Sequence, residues 1–173
     1  MRRWLLGGLM LLLSASWTLA NDLTIEVTRG KKAPTPIAVV PFAWAGGGFN
    51  GDQLAEIVSM NLYRSGQFAP IDKKNMLSFP HSAQEIIFRD WRMSGAQFLV
   101  TGKISARGDG GFIVEYILAD INGEKIHFTR NVQGGPNNLR DLAHYISDEV
   151  YEDLTGYKGP FQTRIAFVRV EGQ

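Results

Sequence analysis

Apolar and polar residues alternate strictly soon after the N-terminus. Leu23, Ile25 and Val27 are separated by single polar residues, and this period of two predicts a strand with one apolar face. Residues 29–36 contain glycine, two prolines and adjacent charges, which predict a linker or an exposed turn. The uninterrupted apolar run at residues 37–42 then predicts a strand that is buried on both faces and ends at its proline.

A helical period follows the glycine-rich loop at residues 45–51. Asn50 or Asp52 can cap this first helix, because a side-chain oxygen there accepts a free main-chain N–H. Gly66 can end it, because glycine tolerates the left-handed backbone that closes many helices. We predict an apolar face made of Leu54, Ile57, Val58 and Leu62.

Two more segments have the period of a helix. Residues 84–95 predict a second helix whose Ile87 and Trp91 point inward. A third helix is predicted to begin after Asn137 or Asn138 and to end at Gly156. Its apolar stripe consists of Leu139, Leu142, Ile146, Val150 and Leu154.

The remaining apolar segments read as strands. They cover residues 68–72, 97–106, 112–121, 124–132 and 163–170. The dipeptide Asn122-Gly123 predicts a two-residue hairpin turn, so residues 97–132 should form an antiparallel meander. Together these elements predict an α/β fold in which helices pack on one mixed sheet.

The first twenty residues have the three parts of a secretory signal. Arg2 and Arg3 precede a short apolar run, and the segment ends in Thr18-Leu19-Ala20, with small residues at the two positions that a signal peptidase reads. A membrane-spanning helix is disfavoured because it needs about 20 apolar residues, roughly twice the length of this run. We therefore predict that residues 1–20 are removed during export.

Composition excludes several classes of protein. The chain has 18 Lys+Arg and 17 Asp+Glu, and removal of the signal with its two arginines would leave a net charge of −1. No basic run remains that could neutralise several phosphates, so nucleic acid is not an expected partner. The absence of cysteine excludes disulfides and thiolate metal sites.

Candidate catalytic residues are scarce. His81, His127 and His144 lack metal-ligand spacing, and no Gly-x-Ser-x-Gly nucleophile motif occurs. His127 alternates with two apolar residues, which predicts a place on the exposed face of a strand. The four acidic residues Asp148, Glu149, Glu152 and Asp153 are predicted to form a solvated helix face.

One motif supports an alternative function. The spacing Gly46-x-Gly48-x-x-Gly51 follows a strand, opens a helix and precedes Asp72 by about 20 residues, as in dinucleotide-binding folds. An exported nucleotide-binding enzyme that takes NAD or ATP is therefore the alternative hypothesis. Three residues separate the strand from the first glycine, and the later strands form a meander, which favours a flexible loop instead.

Signal cleavage would leave the alternating strand close to a free chain end. Such a strand can add to the edge of a partner's sheet, with main-chain hydrogen bonds giving affinity and Leu23, Ile25 and Val27 giving register. It can equally be the edge strand of its own sheet. The pattern alone leaves both possibilities open.

Several stretches of the chain resemble the TolB family, the periplasmic component of the Tol-Pal system. They are PIAVVPFAWAG at residues 36–46, SGQF at 65–68, SAQE at 82–85, SDEVYEDLTG at 147–156 and KGPFQTRIAFV at 158–168. The resemblance implies a three-layer domain with a mixed five-stranded sheet, similar to anticodon-binding domains. It also implies a periplasmic adaptor without catalysis, cofactor, metal or small-molecule substrate, and not embedded in the membrane.

The resemblance further implies a domain organisation and a binding site. Residues 34–161 would form the α/β domain, and residues 162–173 would begin a β-propeller that is absent from this chain. Such adaptors link TolA to the lipoprotein Pal and support outer-membrane integrity and constriction during cell division, with Pal expected only where a propeller is present. The segment that TolA would bind is Asn21, Asp22, Leu23, Thr24, Ile25, Glu26, Val27, Thr28, Arg29, Gly30, Lys31, Lys32 and Ala33.

Overall fold

The computed structural model describes residues 33–46, 51–135 and 137–163. The strands are β1 (Thr35–Val39), β2 (Ala43–Trp44), β3 (Phe68–Pro70), β4 (Phe98–Ala106), β5 (Phe112–Asp120) and β6 (Lys125–Gly134). The α-helices are α1 (Gly51–Arg64), α2 (Phe88–Met93) and α3 (Leu139–Thr155), and 3₁₀ helices span Lys73–Asn75 and Ala83–Glu85. The strand predicted at residues 23–27 lies outside the described residues, as does all but Thr163 of the strand predicted at 163–170.

All these strands belong to one mixed sheet, with the order β3-β1-β4-β5-β6. β1 pairs in parallel with β3 and β4, and β4, β5 and β6 form an antiparallel meander. The predicted mixed sheet is therefore confirmed. The sequence missed β2, which pairs with β4 beyond the end of β1, because two residues are too few to show a period.

The first face of the sheet is covered by α1 and α3. Leu54, Val58 and Leu62 of α1 are fully buried there, whereas Ile57 is only partly buried. Along α3 the residues Leu142, Ile146 and Val150 are buried, with Leu139 and Leu154 packed at the two ends of the stripe. These stripes confirm the predicted inward faces of both helices.

The opposite face of the sheet is covered by a short 3₁₀ helix and the short helix α2. The predicted helix at residues 84–95 is wrong in its first half, where a 3₁₀ turn and two extended residues, Ile86 and Ile87, precede the six-residue α2. Trp91 is buried as predicted, but Ile87 is 52% exposed and Ile86 is buried in its place. The change of helix type shifts the inward position by one residue. Helices on both faces give the three layers.

Helix ends follow the predictions only in part. Gly66 and Gly156 have left-handed φ angles of 71° and 76°, which confirms both predicted stops. Asp52 lies inside the first turn of α1 and forms an ion pair with Lys73 at 2.7 Å, so it is not the cap. Asn138 precedes α3 but makes no side-chain capping hydrogen bond.

The turn at Asn122-Gly123 is longer than predicted. Asp120 is opposite Lys125, so four residues connect the strands rather than two. The Asp120 carboxylate accepts the N–H of Gly123 at 2.8 Å, and Glu124 has a φ of 49°. A local side-chain acceptor therefore holds a wider turn than the favoured two-residue type.

Candidate functional site

The predicted partner-binding segment leads directly into β1. Of its residues only Ala33 is described, and it is exposed immediately before Pro34; residues 21–32 lie outside the described part. Thr35 and Pro36, which the sequence assigns to a linker, belong to β1. The sheet therefore begins two residues earlier than the apolar run indicates.

Main-chain hydrogen bonds hold the start of β1 from both sides. The N–H of Thr35 donates to the carbonyl of Gln67 at 2.8 Å, and the N–H of Gln97 donates to the carbonyl of Pro36 at 3.0 Å. Pro36 lacks a main-chain N–H, and in this strand that N–H would point toward β4. Phe98, the first residue of β4, is opposite Ile37, so β4 has not yet begun at the level of Pro36. The proline is therefore tolerated in this central strand, because no ladder hydrogen bond is lost. The point where the predicted binding segment joins the domain is thus firmly anchored.

Aromatic rings connect this edge of the sheet to the end of α3. Phe68 of β3 is the register partner of Thr35. Its ring meets Tyr151 edge-on at a centroid distance of 6.1 Å, and Tyr151 meets Phe161 edge-on at 5.8 Å. Edge-to-face pairs of this kind stabilise by about 0.5–1.5 kcal/mol beyond their buried area. The segment after α3 is therefore packed against the domain.

Asp148 fixes the same segment by hydrogen bonds. Its two carboxylate oxygens accept the main-chain N–H groups of Phe161 and Gln162 at 2.8 and 3.1 Å. Glu149 pairs with Arg130. Asp153 pairs with the imidazole of a histidine on β6. The predicted solvated face is wrong for Asp148 and Glu149, which are half-buried, whereas Asp153 is exposed as predicted and nevertheless has a tertiary partner.

The histidines have structural neighbours. His127 is exposed, as predicted, but a bulge in β6 turns its imidazole toward α3, where Nδ1 lies 2.7 Å from Asp153 Oδ2. His144 Nδ1 is 2.9 Å from the side-chain nitrogen of Asn61. The main-chain N–H of His81 donates to Glu85 and lowers the pKa of that carboxyl. Among the described residues no group of three or more His, Asp or Glu is arranged to hold a metal ion.

A small cleft lies where the nucleotide hypothesis places its ligand. It has a volume of about 180 Å³ between the ends of β1 and β3 and the start of α1. Asp52, Glu56 and Asp72 line it together with Lys73, which is already paired with Asp52. Ligand pockets usually enclose about 300–1,000 Å³, and the excess of carboxylates opposes phosphate. The cleft brings Asp72 near α1 but suits a nucleotide poorly.

The glycines of that motif have close neighbours in the fold. A Cβ on Gly51 would stand 1.7 Å from the carbonyl oxygen of Phe42, and one on Gly46 would stand 2.1 Å from the ring of Trp44. Gly48 lies outside the described residues. Close packing therefore accounts for two of the three glycines without a ligand. Asp72 forms an ion pair with Lys74 at 3.0 Å.

Within the described residues, no helix combines the length and the apolarity that crossing a bilayer requires.

Comparison with known proteins identifies the family. The model of the TolB amino-terminal domain matches residues 23–126. The Tol-Pal system protein TolB of Pseudomonas fluorescens SBW25 is 45% identical over 171 residues, which is 98% of this chain and 39% of that protein. Its counterpart in Pseudomonas syringae pv. tomato DC3000 is 44% identical over 169 residues, 96% of this chain and again 39% of that protein.

A solved structure agrees with these sequences. The crystal structure of TolB from Acinetobacter baumannii superposes with a TM-score of 0.63 at 31% identity, covering 74% of this chain and 30% of that one. This chain spans about two-fifths of the length of the curated relatives it matches. With a family model over more than half of its residues, the chain belongs to the TolB family of Tol-Pal system proteins, and its described part is a TolB amino-terminal domain.

Proposed function

We propose that this protein is a non-enzymatic periplasmic adaptor that binds TolA through residues 21–33. The processed N-terminal segment would add as a strand to an edge of TolA's periplasmic domain. Through this contact the protein would support outer-membrane integrity and constriction during cell division. Pal is proposed as a second partner only for a chain that carries the propeller.

One observation carries this proposal. The segment with alternating Leu23, Ile25 and Val27 runs into the start of β1, where hydrogen bonds to Gln67 and Gln97 hold the chain on both sides. A strand tethered to a firmly held base can pair with another sheet without loosening its own domain. Family membership supports a role in the Tol-Pal system, and the small carboxylate-lined cleft offers no better site.

Deletion of residues 21–28 tests the proposal. The deleted residues precede the described domain, so the thermal midpoint should stay within error of the parent. Calorimetric titration with the periplasmic domain of TolA should show no binding. Undiminished binding by the deletion variant would overturn the proposed site.

A point substitution tests whether TolA binding requires strand pairing or only the presence of the segment. Ile25→Pro removes a main-chain donor and fixes φ, so it should weaken TolA binding at least as much as loss of one ladder hydrogen bond, about 0.5–1.5 kcal/mol. The matched control is Glu26→Gln, which keeps the backbone and the apolar face. Equal weakening by both variants would contradict strand addition.

The proposed location has a separate test. Cleavage after Ala20 predicts that mature protein in a periplasmic extract begins at Asn21. N-terminal sequencing of that fraction measures the cleavage point directly. A start well beyond Leu23 would remove the proposed strand and contradict the binding model.

A further inference from the structure

The turn between β5 and β6 contains Asn122-Gly123, an exposed dipeptide with reactive chemistry. In such a pair the main-chain nitrogen of the glycine can attack the side-chain carbonyl carbon of the asparagine. A new nitrogen–carbon bond forms, and the side-chain amide nitrogen leaves as ammonia with the proton from the glycine N–H. Water then opens the resulting succinimide ring to aspartate or isoaspartate. Glycine favours the attack because it has no side chain to obstruct it.

The Asp120 carboxylate holds the nitrogen that would attack. Its Oδ1 accepts the N–H of Gly123 at 2.8 Å. A Cβ at position 123 would stand 2.6 Å from Asp120 Oδ2, so a larger residue there would displace the carboxylate. The hydrogen bond therefore favours glycine at position 123, the residue that makes Asn122 most reactive, and it also holds the proton that the attack must remove.

Arg92 of α2 contacts the turn on both sides of the dipeptide. Its Nη1 donates to the carboxylate of Glu124 and lies 3.5 Å from the carbonyl oxygen of Ile121. Ile121 is fully buried, which fixes the turn at that end. These contacts limit the main-chain rotation that would bring the Gly123 nitrogen to the side chain of Asn122.

We propose that Asn122 is a latent deamidation site, and that the Asp120 carboxylate keeps it unreacted in the folded protein. Ring closure requires that the N–H of Gly123 leave Asp120, so the reaction proceeds from an opened turn whose population the hydrogen bond limits. The charge of the carboxylate also opposes the negative charge that develops on the attacking nitrogen. This inference is independent of TolA binding.

Reaction at Asn122 would weaken the β5–β6 hairpin. The product places a further carboxylate between Asp120 and Glu124, where like charges repel. Isoaspartate also lengthens the main chain inside the turn, and turn geometry sets the register of the two strands. The hydrogen bond at Gly123 therefore protects the pairing of the outermost strand.

Peptide mapping by mass spectrometry tests the proposal during incubation in mildly alkaline buffer. In the parent, Asn122 should deamidate more slowly in the folded protein than in the urea-unfolded chain. Asp120→Ala should speed the reaction in the folded protein about three- to tenfold, the factor expected from loss of one hydrogen bond. Asp120→Asn keeps an oxygen acceptor but loses the charge, so its rate should lie between those of the parent and Asp120→Ala.

A matched control comes from the β4–β5 turn. Asp109 Oδ1 accepts the N–H of Gly111 at 3.1 Å, so Asp109→Ala removes an equivalent hydrogen bond from the neighbouring hairpin. It should leave the rate at Asn122 unchanged. Incubation well below the thermal midpoint of each variant keeps global unfolding out of the comparison. If Asp120→Ala does not fold, the isosteric Asp120→Asn replaces it, and its rate must then exceed that of the parent.

Three results would overturn the inference. Equal rates in the parent and the Asp120 variants would show that the carboxylate does not protect Asn122. A slower reaction in those variants would make Asp120 a base that assists the attack. Equal acceleration by Asp109→Ala would assign the effect to general loosening of the meander.

Discussion

His127 and Asp153 join the outermost strand of the sheet to helix α3 through a pair of side chains 2.7 Å apart. The pair exists because β6 contains a bulge: Leu118 is opposite Phe128 and Ala119 is opposite Ile126, which leaves His127 as the extra residue. A bulge breaks the strict alternation of side chains. His127 and Phe128 therefore both face α3, and the strand is held against the helix.

Loss of this pair should destabilise the domain modestly. The two side chains are 22% and 26% exposed, so solvent screens their attraction in part. Asp153→Asn and His127→Ala should each reduce the free energy of unfolding by about 0.5–1 kcal/mol. Urea denaturation of both single variants and the double variant gives the coupling energy. A coupling of zero would mean that the pair contributes nothing.

Asp148 should contribute more to the stability of the domain than the neighbouring acidic residues on α3. It accepts two main-chain N–H groups from the segment after the helix, and removing it leaves both donors without that acceptor. Asp148→Ala should cost about 1–3 kcal/mol and speed proteolytic cleavage near Gln162. Glu152→Gln, an exposed residue on the same helix, is the control. Similar cleavage rates for both variants would contradict a clamp at Asp148.

Tyr116 should make the domain sensitive to high pH. Burial raises the pKa of its phenol above the ordinary value, and the carboxylate of Glu149 raises it further. Because the folded-state pKa is raised, the stabilisation is complete below the unfolded pKa of about 10 and is lost as pH rises above it. In that range stability should fall by about 1.4 kcal/mol per pH unit.

Substitution of Tyr116 provides the check. Tyr116→Phe should remove this part of the alkaline loss of stability, measured by urea denaturation at a series of pH values. Tyr63, which is 64% exposed, gives the matched control Tyr63→Phe, with an unchanged profile expected. An alkaline slope that persists in Tyr116→Phe would assign the effect to another group.

The nucleotide hypothesis predicts that the protein binds NAD or ATP, whereas the cleft indicates that it binds neither. Titration with NAD and with ATP should give neither heat nor chemical-shift changes, because the cleft is small and rich in carboxylates. Gly51→Ala should lower stability by about 1–3 kcal/mol, because a methyl group would overlap the carbonyl of Phe42. Saturable binding of either nucleotide that Gly51→Ala abolishes would restore the enzyme hypothesis.

Long periodic segments were readable from the sequence. The stripes of α1 and α3, the buried character of β1 and the meander of β4–β6 follow from side chains that repeat over many residues. The left-handed stops at Gly66 and Gly156 were also readable, because few residues accept that backbone. These features depend on local chemistry, which one chain displays without its neighbours.

Short or irregular features escaped that reasoning. β2 has two residues, and the layer over the second face mixes two helix types, which moved the buried position from Ile87 to Ile86. The start of β1 was missed because its first two residues are polar or proline. Their place depends on partners contributed by β3 and by the residue before β4.

The sequence by itself determined the fold class and the family resemblance, because both depend on patterns along the chain; the candidate binding segment stays a prediction from the same patterns. Only the tertiary structure decided which partners the acidic residues and the histidines contact. Asp148, Asp153 and His127 look solvated in a linear reading, yet each binds a group far away in sequence. The physical reason is that a hydrogen bond across elements depends on a distance in space, which periodicity cannot encode.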